Sequence, residues 1–169
     1  MTKTRLLTVI GLVSCSAMVA WVYAQTKSGA AGRLSPEDFL EIEQLVQGYT
    51  HGIDVGPEDA SWTFAPDGAF VSERRTVKGE KELKEMYAAR RKRHNPRQRH
   101  LLTNLIVTLI DEGASGTAYI TVIEPNDTSM PAISYYGMYN DTYVRTSNGW
   151  RIKRREWRQL APEPSARAQ

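Results

Sequence analysis

A histidine, an aspartate and a tyrosine, far apart in a chain of 169 residues, are the side chains best suited to move a proton. His100 stands near the start of Arg99-His100-Leu101-Leu102-Thr103-Asn104. Two-residue alternation there sets His100, Leu102 and Asn104 on one strand face and Leu101, Thr103 and Leu105 on the other. An imidazole titrates near neutrality, so it can take a proton and return it within one turnover. Tyr49 and Asp54 lie at the end of a helical stretch interrupted by Gly52. Five residues span about 140° of an ideal helix, so the two share a cavity only if the chain turns there and swings the carboxylate inward. Such a carboxylate accepts an imidazole N–H, sets the ring and stabilises the imidazolium. A neighbouring phenol donates to a developing oxyanion. Plainer roles stand beside these: a satisfied strand histidine, a core tyrosine, a helix-end aspartate.

Aromatic residues at Trp62, Tyr87, Tyr119, Tyr139 and Trp157 offer a lining for a flat molecule, although each taken singly also reads as core. Tyr135 and Tyr136 are strand neighbours, so only one of them can face inward. His51, His94 and His100 lack metal-ligand spacing, and neither a phosphate-cradling glycine loop nor a nucleophile elbow is present. No metal is expected. The run Arg90-Arg91-Lys92-Arg93-His94 reads as a solvated helix end, with Arg90 able to lay its stem on the apolar face. Arg151, Lys153, Arg154, Arg155 and Arg158 read as the edge of a sheet.

The elements that must position these groups are marked clearly. Ser35-Pro36-Glu37-Asp38 has the pattern of a helix start, and Phe39, Ile42, Val46, Tyr49 and Ile53 form a single apolar stripe. A second, short helix is expected from Pro57 to Phe64, stopped by Pro66-Asp67-Gly68. A short strand over Ala69–Arg74 and a turn near Val77-Lys78-Gly79 follow, then a third helix over Glu80–Arg93. From Arg99 the period becomes two, giving strands over Arg99–Asp111, Ser115–Glu124, Ile133–Arg145 and Trp150–Leu160. A turn spans Gly113 to Gly116, and Asn148-Gly149 marks a tight hairpin. Three helices followed by an antiparallel meander predict an α+β fold, helices on one face of a strongly curved sheet, with a cavity between the layers.

The ends of the chain belong to other tasks. Residues 1–24 carry Lys3 and Arg5, an apolar run and Val22-Tyr23-Ala24, the pattern of a signal peptide, with an uncleaved anchor as the alternative. Leu12-Val13-Ser14-Cys15 also fits a lipobox, so Cys15, the one cysteine, is a possible lipidation point and the sole route to a membrane besides an uncleaved signal. An exported protein, periplasmic or secreted, is expected. Residues 25–34 read as a flexible tether, 35–160 as one domain and 161–169 as a disordered tail. Loss of the signal leaves 20 basic against 19 acidic residues, so the charge balance gives no case for nucleic acid.

Taken in order, several segments resemble one family. They are Tyr49-Thr50-His51-Gly52-Ile53-Asp54, Trp62, Phe64-Ala65-Pro66-Asp67-Gly68-Ala69-Phe70, Arg99-His100-Leu101-Leu102-Thr103-Asn104, Tyr139-Asn140-Asp141-Thr142-Tyr143 and Gly149-Trp150-Arg151-Ile152. Their order and spacing resemble the SnoaL-like branch of the nuclear-transport-factor-2-like (NTF2-like) superfamily over about Leu34 to Leu160. The resemblance implies a conical pocket and cofactor-free acid–base chemistry, as in polyketide cyclases, dehydratases and steroid isomerases. It implies Tyr49, Asp54 and His100 as catalytic groups, and leaves open a second acid, for which Glu124 is the nearest candidate. The expected function is a lyase or isomerase on a small hydrophobic substrate, aromatic or polycyclic. Asn104 joins Trp62, Tyr87, Tyr119, Tyr139 and Trp157 as the expected substrate contacts. A homo-oligomer, dimer or trimer, is expected. A non-catalytic binder or a dimerising domain of the cell envelope is the alternative.

Overall fold

The computed structural model describes residues 34–56, 59–93, 95–125 and 131–160. The expected signal peptide, all but the last residue of the tether, and the tail lie outside the described residues.

Helix α1 spans Pro36–Asp54 and buries Ile42, Leu45, Val46, Tyr49 and Ile53 along one stripe against β3 and β6. Its end is closed by Val55 N–H and Gly56 N–H, which both donate to the His51 carbonyl at 2.9 and 2.7 Å. The expected second helix is reduced, among the described residues, to a single 3₁₀ turn over Ala60–Thr63, capped by Asp59, whose Oδ1 accepts the Ser61 N–H at 2.8 Å. The α-helices described are therefore two, not three.

Strand β1, Phe64–Val71, starts earlier than its sequence suggests, because Pro66-Asp67-Gly68 is absorbed as a bulge instead of ending the element. Its register on β6 steps from Phe64↔Ile152 to Ala69↔Arg154. A bulge leaves residues out of the ladder, so the missing N–H of Pro66 breaks no bond there. A Cβ at Gly68 would lie 2.8 Å from the Ala65 carbonyl oxygen and 2.9 Å from that of Ile152, so only glycine fits. The expected turn at Val77-Lys78 is a short strand, β2, Thr76–Lys78, paired with β1. Helix α2 occupies Glu80–Arg93, as expected, and buries Leu83 and Tyr87.

The remaining strands are β3 (Arg99–Ile110), β4 (Gly113–Glu124), β5 (Ala132–Thr146) and β6 (Gly149–Gln159). The six-stranded order is β2-β1-β6-β5-β4-β3, antiparallel throughout except where β1 meets β6. This places β6 in the interior of the sheet, which overturns its reading as an edge. Bulges interrupt the β3–β4, β4–β5 and β5–β6 ladders, and a bulge bends its strand and increases the local twist.

Those bulges also change which residues face inward. In β3 the register skips between Thr103 and Ile106, and Asn104 has φ 57°, the left-handed region that asparagine tolerates. Asn104 is exposed and does not share the inner face with His100 and Leu102; Leu105, Val107 and Leu109 take it over. In β6 the skip at Lys153 brings Arg155 and Trp157 inward after Trp150 and Ile152.

Candidate functional site

Asp54 is the last residue of α1 and His100 the second of β3, so a helix end and a strand start bring together groups 46 residues apart. Asp54 Oδ1 lies 2.6 Å from His100 Nδ1, and Oδ2 accepts the His100 backbone N–H at 2.7 Å. Both side chains are buried, 2% exposed for the histidine and 7% for the aspartate. One carboxylate therefore fixes both the position of the strand and the rotation of the ring.

The other ring nitrogen, Nε2, stands 3.0 Å from Arg90 Nη2. A guanidinium only donates, so Nε2 must accept, and the imidazole is neutral with its proton on Nδ1 toward Asp54. Burial works against the charge of Arg90, yet the hydroxyls of Tyr49, Tyr139 and Tyr87 and the Asp54 carboxylate outweigh it and hold Arg90 above its ordinary value. Arg90 is thus no part of a solvated helix end. It sits one turn beyond Met86 and Tyr87 on the inner face of α2, and that spacing was the signal for it.

Behind this group lies a cluster of phenols. Tyr49 is fully buried, its ring edge-on to Phe64, Tyr87 and Tyr139, and Tyr87 Oη lies 3.0 Å from Tyr49 Oη. Burial, reinforced by Tyr49, pushes the Tyr87 and Tyr139 phenols well above their usual range. They remain protonated donors. The Arg155 guanidinium is held between two of these rings, 4.0 Å from the Tyr49 centroid and 4.3 Å from that of Tyr139. Its Nε and Nη2 donate to Asp141 at 2.9 and 2.6 Å, and Tyr143 Oη donates to the same carboxylate at 2.7 Å. Burial disfavours the Arg155 charge, but Asp141 overrides it and holds the group well above its ordinary value. Nη1 has no hydrogen-bond partner among the described residues.

A cavity of about 540 Å³ opens beside His100, walled by Phe70, Met86, Ile120, Tyr135, Tyr139 and Trp157 and bordered by arginines. His100, Tyr139 and Trp157 reach it, whereas Asp54, Tyr49 and Tyr87 stand behind the wall. Tyr135 lines it and Tyr136 faces out, stacked on Tyr119 with centroids 6.0 Å apart. Tyr119 therefore lies on the outer sheet face, away from the cavity. Trp62 is away from it too: it packs over Gly48 and, with Arg151, borders a separate shallow hollow. Glu124 accepts a hydrogen bond from Gln98 and is not on the cavity wall. Among the described residues no three His, Cys, Asp or Glu side chains gather as a metal site.

Residues 35–156 match the SnoaL-like domain family. A search of curated proteins returns no match. Among solved structures, an NTF2-like protein with a cystatin-like fold from Novosphingobium aromaticivorans aligns with TM-score 0.67 and 25% identity, over 78% of this chain and 87% of that one. A cystatin-like-fold protein of unknown function from Nostoc punctiforme aligns with TM-score 0.65 at 24% identity, over 78% and 96%. A candidate scytalone dehydratase from Novosphingobium aromaticivorans aligns with TM-score 0.61 at 22% identity, over 78% and 95%. At these identities the last two speak for the fold alone.

Proposed function

The chain belongs to the SnoaL-like domain family of the NTF2-like superfamily, and from that premise we propose that it is a cofactor-independent lyase or isomerase acting on a small hydrophobic molecule. The observation that carries this reading is the Asp54–His100 pair, 2.6 Å apart, with the imidazole at the wall of an aromatic cavity. The superfamily's polyketide cyclases and scytalone-dehydratase-like enzymes agree with it.

In this reading His100 is the base. Asp54 holds the proton on Nδ1, so the lone pair of Nε2 is the one that can accept a proton from carbon. Arg90 caps that lone pair in the resting state and must move aside as substrate enters. Its guanidinium then pairs with the oxygen on which negative charge develops, where a desolvated cation is most effective. Tyr139, kept protonated, donates a hydrogen bond to the same oxygen, and Tyr49 packs edge-on against its ring. The imidazolium, stabilised by Asp54, returns its proton to carbon in an isomerisation or to a departing hydroxyl, released as water, in an elimination. The capped Nε2 also favours a second reading, a binder in which Arg90 never leaves and no product forms.

Deuterium exchange at the acidic carbon of a bicyclic ketone such as 2-tetralone separates the two. The native protein accelerates exchange, and His100→Ala loses on the order of 10²–10⁴ in rate while keeping its fold. A native protein that binds the ketone without accelerating exchange contradicts the catalytic reading.

A further inference from the structure

Arg74, Arg75 and Arg93 line the cavity in addition to Arg90, and its lining contains one acid, Glu73. The chain as a whole is nearly balanced, with 22 basic and 19 acidic residues, so this local excess is a property of the site, not of the composition. Arg90 is engaged by His100. Arg74, Arg75 and Arg93 form no ion pair among the described residues.

Two of these arginines are carried on a fixed turn. Ser72 N–H donates to the Arg75 carbonyl at 2.9 Å, Arg75 N–H returns a bond to Ser72 at 3.3 Å, and Ser72 Oγ adds a third at 3.2 Å. Glu73 and Arg74 are the central residues of this hairpin between β1 and β2. Arg93 approaches from the last turn of α2. The rest of the lining is mostly apolar and aromatic, with Phe70, Met86, Ile120, Tyr135, Tyr139 and Trp157.

We propose that the ligand of this cavity is an organic anion: a ring system lying against Tyr135, Tyr139 and Trp157, with a carboxylate or similar acidic group gripped at the rim by Arg74, Arg75 and Arg93. A guanidinium fork matches a carboxylate in shape and charge, and low-dielectric walls focus the field of clustered cations into the hollow. Anchoring the acid at the rim directs the ring toward Tyr139 and His100. The inference rests on this cavity being the binding site, as proposed above, but not on His100 acting as a base.

Calorimetric titration of the purified protein with 2-naphthoate and with its neutral counterpart 2-naphthalenemethanol, at low ionic strength, tests it. The carboxylate is expected to bind at least about tenfold more tightly, the gain of one charge-assisted contact, and added salt should erode that preference. The triple variant Arg74→Gln, Arg75→Gln, Arg93→Gln should bring the two ligands to parity and leave the alcohol's affinity unchanged. Glu73→Gln, which removes the opposing charge, should tighten naphthoate binding and provides the test should the triple variant fail to fold. His100→Ala should keep the preference, so loss of proton transfer and loss of anion selectivity are read separately. Equal affinities on the native protein, no binding of naphthoate, a preference that survives the triple variant, or no tightening in Glu73→Gln overturns the proposal.

Discussion

Asp54 uses one oxygen for the ring of His100 and the other for its backbone, so the carboxylate carries out a folding task and a chemical one together. Asparagine keeps a single acceptor oxygen, so Asp54→Asn must give up one of these bonds and present an N–H₂ to a donor. Long-range ¹H–¹⁵N NMR should find one neutral tautomer in the native protein, protonated at Nδ1, and a mixture or the reverse tautomer in Asp54→Asn. Unfolding should show a loss of about 1–3 kcal/mol from the donor left unsatisfied. A native ring protonated at Nε2 at neutral pH would contradict the geometry. His100 and Asp54 were legible because strand alternation and a helix end put them where a cavity forms. Arg90 was harder to see. A basic residue in the last turn of a helix ordinarily reads as solvated, whereas Arg90 is half-buried beside His100 and the phenol cluster.

At the scale of the element, bulges decide the site. Strict alternation predicts Asn104 beside His100, and it fails because one residue in the left-handed region resets the parity of the rest of β3. The skip at Lys153 does the reverse, turning a residue of a basic strand, Arg155, into the most deeply buried charge in the described fold. Neither bulge is written in hydrophobic periodicity, since both depend on pairing with a neighbouring strand. Arg155→Met should destabilise the protein by about 3–5 kcal/mol, because it leaves Asp141 buried and uncompensated. The double variant Asp141→Leu, Arg155→Met should recover most of that loss, since it buries no unpaired charge. Urea unfolding measures both, and a single variant within about 1 kcal/mol of native would show that the pair contributes little to the phenol cluster it supports.

Seen as a whole, the described domain has one face unaccounted for by the cavity. The outward side of β3, β4 and β5 exposes Leu101, Ile106, Tyr119 and Tyr136, with threonines at Thr103, Thr108 and Thr117 and no charged side chain on the ladder between them. A broad apolar face marks an association surface. One without charge is complementary to its own copy, because stacking two copies opposes no like charges. A dimer is therefore expected by light scattering, and Ile106→Lys should convert it to a monomer with little change in fold; a monomeric native protein would contradict this. The α+β class, the meander and both α-helices could be read in advance, since periodicity and caps are local. The short strand β2 and the parallel join of β1 to β6 could not, since both depend on strand pairing around Pro66-Asp67-Gly68, and the expected second helix is, among the described residues, only a 3₁₀ turn.

The proposed activity depends on His100 acting as a base toward the cavity. Comparing native protein with His100→Ala for deuterium exchange into 2-tetralone, at matched thermal stability, tests this most directly. The predicted result is acceleration by the native protein and a loss on the order of 10²–10⁴ in the variant. Exchange that continues at the native rate without the imidazole would contradict it.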